Sequence, residues 1–271
     1  MKKYGLDVYG SSDKSLKGQD YAEVIDESMM IGSEKLLLTL AVPSAHQGRP
    51  LCHSDVSVLD MSVSNSWTGE SVKTQLDKTA EKVGHKPEYV ISDNAFTMAK
   101  GIRLSGIAHH CDISHSLGMY LERTYKEADD FNAYVKQMAD VKFKHNMKKI
   151  ACLLPTQRTI ARFINLSGWV KWSCKMLDVY HTLSSEEQSI FSFIPANASF
   201  INELSDVIDC VESIESVCKR QGFSRETSRQ CQLQINKKLF SGNSRMMQLG
   251  WDIYNFLDTE SSMLKSDNDV H

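Results

Sequence analysis

Tyr21-Ala-Glu-Val-Ile-Asp26-Glu-Ser28 is the stretch on which the rest of the chain turns. An apolar-leaning run over 21–25 arrives at an acid, and the chain returns at once through residues 35–42. There Leu36-Leu-Leu-Thr-Leu-Ala-Val42 is the continuous apolar run of a buried strand. Gly32-Ser33 marks the turn and Pro43 closes the second strand. Residues 56–63 alternate and predict a third strand, so three strands with short connections form an antiparallel meander. A helix follows between Thr68 and Gly84, with Val72, Leu76, Ala80 and Val83 on one face. Tyr89-Val-Ile91 is a short buried strand that runs into Ser92-Asp93-Asn94. Residues 95–103 pack back as a helix, 107–113 make a fifth strand, and 116–126 are helical. The order β-β-β-α-β-α-β-α predicts an α/β fold, leaning toward α+β, with a mixed sheet and helices on its faces.

After residue 127 no strand pattern recurs. Residues 131–143, 156–164, 169–180, 185–194, 200–220 and 224–240 read as helices, and 248–257 as a short one. The chain therefore divides into a disordered lead-in (1–20), a sheet-bearing core (21–127), a helical domain (128–257) and a polar tail (258–271). The tail has no cap or stop and reads as a cut end.

Composition narrows the partners. No run of about 18 apolar residues exists and the start has no apolar signal core, so neither a membrane span nor secretion is expected. The seven cysteines (52, 111, 152, 174, 210, 218 and 231) are scattered, odd in number and without a CxxC pair, as befits reduced thiols in a cytoplasmic protein. A net charge of −3 argues against a dedicated DNA-binding module. It also hides a local basic stretch: Lys136, Lys142, Lys144, His145, Lys148, Lys149, Arg158 and Arg162. Such a patch contacts phosphates without reading sequence, although it also describes a solvated helix face. Trp169 and Trp172, three apart, suit either stacking on an unpaired base or anchoring a core.

Two strands that each end in an acid place carboxylates side by side. Asp26 and Asp93 are the candidate pair, with oxygen ligands suited to Mg²⁺ or Mn²⁺. Taken singly, each is an ordinary strand-end or turn residue. Asp112 and His115, in Cys111-Asp112-Ile-Ser-His115, fall at the same sheet edge, and one turn of helix would face them the same way. A helix N-cap explains Asp112 equally well. His109-His110-Cys111 lacks the second ligand pair of a zinc site.

The order of elements is that of the ribonuclease H-like fold, with acids where that fold carries them. Ile25-Asp-Glu-Ser-Met-Met-Ile-Gly-Ser-Glu34, Ile91-Ser-Asp-Asn-Ala-Phe-Thr-Met-Ala-Lys-Gly101, Asp112-Ile-Ser-His115 and Leu154-Pro-Thr-Gln-Arg-Thr-Ile-Ala-Arg-Phe163 together resemble the DDE-type transposases of bacterial insertion sequences. The resemblance spans roughly residues 21–240. It implies a ribonuclease H-like core interrupted by a helical insertion, and two Mg²⁺ held by Asp, Asp and Glu. It also implies cleavage and strand transfer at transposon ends, double-stranded DNA and further copies of the chain as partners, and a bacterial cytoplasmic, nucleoid-associated location. Asp26 and Asp93 take the two Asp positions. The third acid lacks its usual context: Glu203, Glu212, Glu215 and Glu260 are available, but none is singled out by its surroundings. The expectation is that it lies beyond His271 and that the chain as given is inactive. A ribonuclease H-like nuclease or resolvase, or a non-catalytic nucleic-acid-binding domain, are the alternatives.

Overall fold

The computed structural model describes residues 16 and 18–271 except 32–33, 146, 148, 156–162, 164–165 and 268, and the backbone alone at 28–31 and 149. The chain forms two compact units. One comprises Met1–Ser116, Val217–Thr227 and Glu260–His271; the other comprises Leu117–Ser216 and Ser228–Thr259.

In the first unit, β1 (Tyr21–Ile31), β2 (Glu34–Pro43), β3 (Ser57–Ser64), β4 (Tyr89–Ser92) and β5 (Ala108–Cys111) form a mixed sheet in the order β3-β2-β1-β4-β5. β1, β2 and β3 are antiparallel, while β4 runs parallel to β1 and β5 parallel to β4. β1 is central, and Tyr21, Ala22, Glu23 and Ile25 are all buried, as a strand covered on both faces requires. Helices α1 (Gly69–Val83) and α2 (Phe96–Ser105) cover one face. Val72 and Leu76 of α1, and Met98 and Ile102 of α2, pack there on Ile25, Leu37 and Val90. Thr68 starts α1 by accepting the Ser71 N–H on its hydroxyl (3.2 Å), and Gly84 stops it at φ 99°. On the opposite face Ala22, Val42 and Tyr89 form a smaller cluster with Val24, Val56 and Ile91.

β1 runs six residues further than its apolar run suggests. Pairing with β2 continues from Asp26↔Leu38 to Ile31↔Glu34, whereas the β1–β4 ladder stops at Ile25↔Ser92. Asp26 is therefore within a strand on its β2 side and at the end of a ladder on its β4 side.

The second unit is helical among its described residues. It contains most of α3 (Ile113–Tyr125), all of α4 (Asp129–His145), α5 (Leu166–Val179), α6 (Ser185–Ile190) and α7 (Phe193–Ala196), and much of α8 (Ala198–Gln221), α9 (Arg225–Lys238) and α10 (Ser244–Ser262). The helix expected over 156–164 falls largely outside the described residues. Arg245 ties this unit together. It donates to Asp130 (2.7 Å) and Glu203 (2.8 Å), and its guanidinium lies over the rings of Tyr125 and Phe200. Among the described residues no helix is long and apolar enough to cross a membrane.

Residues 258–271, polar in composition, carry buried side chains. Leu249, Ile253, Leu257 and Glu260 form one buried stripe along α10, and Leu264, just past its end, is buried as well. Past α10, the backbones of Phe223 and His271 exchange hydrogen bonds of 2.7 and 2.9 Å. The polar composition of the tail conceals that stripe.

Candidate active site

Parallel pairing sets the geometry. Glu23, Val24 and Ile25 of β1 lie opposite Val90, Ile91 and Ser92 of β4. The next position on each strand is an aspartate, Asp26 and Asp93, at the carboxyl end of the β4 ladder. Neighbouring strands lie about 4.8 Å apart, so the two carboxylates belong to one locality. Asp26 is exposed and Asp93 half-buried, so both are open to solvent. Asp93 is held by local bonds. Its Oδ1 accepts the Ala95 N–H (3.3 Å), and its carbonyl accepts the Ser92 hydroxyl (2.7 Å). Because the Ser92 proton is committed there, its oxygen is the acceptor for His109 Nε2 at 2.9 Å. Burial, helped by His110, holds His109 below its ordinary pKa, against upward pulls from the Glu260 and Asp93 charges.

A third carboxylate, one of the four available acids that the sequence did not single out, arrives at β5. Glu260, 4 % exposed, accepts from His110 Nδ1 (3.1 Å) and from the Cys111 backbone N–H (3.3 Å). β5 is an edge strand, and the Cys111 N–H would otherwise be an open edge donor. The charges of Glu260 and Asp93 both act on the Cys111 thiol. Burial first, then Glu260, Asp93 and Asp112, push that thiol up to about 12. The signal that could have found Glu260 is its place on the apolar stripe of α10, where a carboxylate needs a partner.

Of the two readings left open for Asp112, the structure shows the helix cap. Asp112 Oδ1 accepts the backbone N–H of His115 at 2.9 Å, which makes Asp112 the cap of α3. The bond therefore runs to the backbone and not between the side chains. Asp112 and His115 are both exposed.

The DNA-contact candidates separate. Lys136 and Lys144 are exposed on α4 and Lys142 is half-buried. Lys148, Arg158 and Arg162 lie outside the described residues, as does the side chain of Lys149. Trp169 is buried in the helical core at 9 % exposure, leaving no face for a base. Trp172 is half-buried, packs edge-on to Phe191 and donates its indole N–H to the Leu153 carbonyl at 2.6 Å. Both tryptophans are thus anchors, because packing and a backbone acceptor already use their surfaces.

Among the described residues no three His, Cys, Asp or Glu side chains converge into a ready-made metal site. The donor set at β1 and β4 nevertheless suits a hard divalent cation. Asp26 and Asp93 are carboxylates at adjacent strand positions and supply the oxygen donors such an ion prefers. Such an ion takes one or two carboxylates and completes its shell with water and substrate phosphate. No family model and no curated protein matches the chain.

Proposed function

We propose that this chain is the core of a DDE-type transposase, a ribonuclease H-like enzyme that cleaves DNA strands and joins a 3′-hydroxyl to DNA. The observation that carries this is the β1–β4 pair. It brings Asp26 beside Asp93 at the carboxyl end of two parallel strands, in a sheet ordered β3-β2-β1-β4-β5. Ligands gather at that end of parallel strands. We assign Glu260, held at the neighbouring strand β5, as the third acid of the set, although among the described residues the three do not converge into a ready-made metal site.

Asp26 and Asp93 are the residues that would hold Mg²⁺ or Mn²⁺. When bound, two such ions supply a Lewis acid for the scissile phosphate and lower the pKa of the attacking water or hydroxyl. The chain itself positions these groups: Ser92 and the Ala95 N–H fix Asp93, and Asp112 fixes the start of α3. In the helical unit, Lys136, Lys142 and Lys144 supply positive charge for backbone phosphates of double-stranded DNA.

Nicking of supercoiled plasmid in Mn²⁺, paired with calorimetric Mn²⁺ titration, tests the reading. Asp26→Asn and Asp93→Asn should each slow nicking by about 10³-fold, the scale of losing several kcal/mol of electrostatic stabilisation. Each should also weaken Mn²⁺ binding. Variants that nick and bind like the parent chain would overturn it. Hydrolysis without any joined product would move the same acids to a nuclease.

A further inference from the structure

We propose that His110 is a positioning residue for Glu260. This rests on the reading of Glu260 as the third acid. Glu260 is 150 positions from His110 in sequence, yet both side chains are almost fully buried, and their bond is 3.1 Å. Glu260 accepts from His110 Nδ1, so the imidazole proton sits on Nδ1. The Cys111 N–H gives the carboxylate a second donor at 3.3 Å, on the outer edge of the sheet. Two donors at fixed angles set both the position and the rotation of the carboxyl plane. An ionised carboxylate has about four lone-pair sites, so it keeps capacity for a cation after both bonds form. The imidazole is itself locked. It meets the Tyr89 ring edge-on at 5.4 Å and the His271 ring edge-on at 4.9 Å, and those two rings stack at 4.0 Å. His110 thus carries an orientation set by β4 and the chain's last residues onto a side chain delivered by α10. Outer-shell donors of this kind change metal affinity or activity by about 10- to 100-fold when removed.

The test compares two replacements in the full chain. His110→Phe keeps the ring and its aromatic contacts but loses the donor. His110→Asn loses the ring but places an N–H near the Nδ1 position. Positioning predicts that His110→Phe weakens Mn²⁺ binding and lowers kcat for plasmid nicking by about tenfold or more, with KM for DNA unchanged. His110→Asn should recover most of both. A purely structural role predicts the reverse, with His110→Phe silent and His110→Asn damaging, and would overturn the proposal. Should either variant fail to fold, ¹⁵N spectra of the intact protein decide independently. An Nδ1–H tautomer that is perturbed by Glu260→Gln supports it, and an Nε2–H tautomer overturns it. Asp26→Asn that leaves Mn²⁺ affinity untouched would remove the underlying reading instead.

Discussion

Glu23 sits in the central strand with no accessible surface, and among the described residues nothing hydrogen-bonds its carboxylate oxygens. The nearest hydroxyls are committed elsewhere: Tyr21 donates to the His85 carbonyl and Thr79 to the Leu76 carbonyl, each at 2.9 Å. Burial therefore dominates and raises the Glu23 pKa from its ordinary 4.5 to about 7, while Thr79 and Tyr21 pull weakly the other way. The unfolded chain releases this proton near pH 4.5, whereas the folded chain keeps it until about pH 7. Across that window the unfolded state binds fewer protons, so stability falls as pH rises, by about 3 kcal/mol in all, and levels off above pH 7. Glu23→Gln removes the ionisation and keeps the shape. Urea titrations should show the variant close to the parent at pH 5 and more stable by about 2–3 kcal/mol at pH 8. A difference that stays constant between those pH values would contradict this account. Glu23 lies three positions before Asp26 on the same strand.

At the scale of elements, α1 and α2 meet through glycine. A Cβ on Gly101 would fall 2.5 Å from Val72 Cβ and 2.8 Å from the Gly69 carbonyl, so the two helices touch backbone to backbone there. Gly101→Ala must push them apart, and overpacking of this kind costs roughly 1–3 kcal/mol. A denaturation midpoint equal to that of the parent would show that the contact relaxes freely. The helices themselves were legible in the sequence, because Val72, Leu76, Ala80 and Val83 repeat at helical spacing between a threonine cap and a glycine stop. Their separation was not, since no pattern in one helix records its distance from another. The strands show the same division. Alternation and apolar runs located all five, and a mixed sheet allows its first and fourth strands to be neighbours, which made Asp26 and Asp93 a candidate pair; their parallel pairing is seen only in the fold. The continuation of β1 to Ile31 escaped notice because it depends on pairing with β2 and not on its own composition. Glu260 was available but could not be singled out, because its distinguishing partner is His110, a contact across 150 residues. Trp169 illustrates the converse: an aromatic near a basic run suits a base or a core, and only its burial decides.

At the scale of the molecule, the sheet-bearing unit is assembled from three separated segments, and the last of them closes it. Gly222, at φ 73°, allows the second segment to approach the third. A Cβ there would come within 2.8 Å of the His46 ring and of the His271 carbonyl. Beside it, Phe223 and His271 exchange backbone bonds, and His46 N–H donates to the Val270 carbonyl at 2.9 Å. Arg225 reaches Asp267 at 2.7 Å and the Leu264 carbonyl at 2.9 Å. The apolar part of the closure is Leu264, 2 % exposed, and the stack of His271 on Tyr89. Burying a leucine contributes about 1.5–3 kcal/mol, and a stacked pair and each backbone bond contribute about 1 kcal/mol more. The exposed Lys265–Glu88 pair adds little. A chain ending at Ser262 keeps Glu260 but loses all of these contacts. It should unfold with a stability lower by roughly 3 kcal/mol or more, read by urea titration of the fluorescence of Trp67, which packs against the core of this unit. It should also bind Mn²⁺ more weakly, because the ring that stacks on Tyr89 and abuts His110 is gone while all three acids remain. A truncated chain with the parent's midpoint would show that residues 263–271 merely rest on the sheet and do not close it.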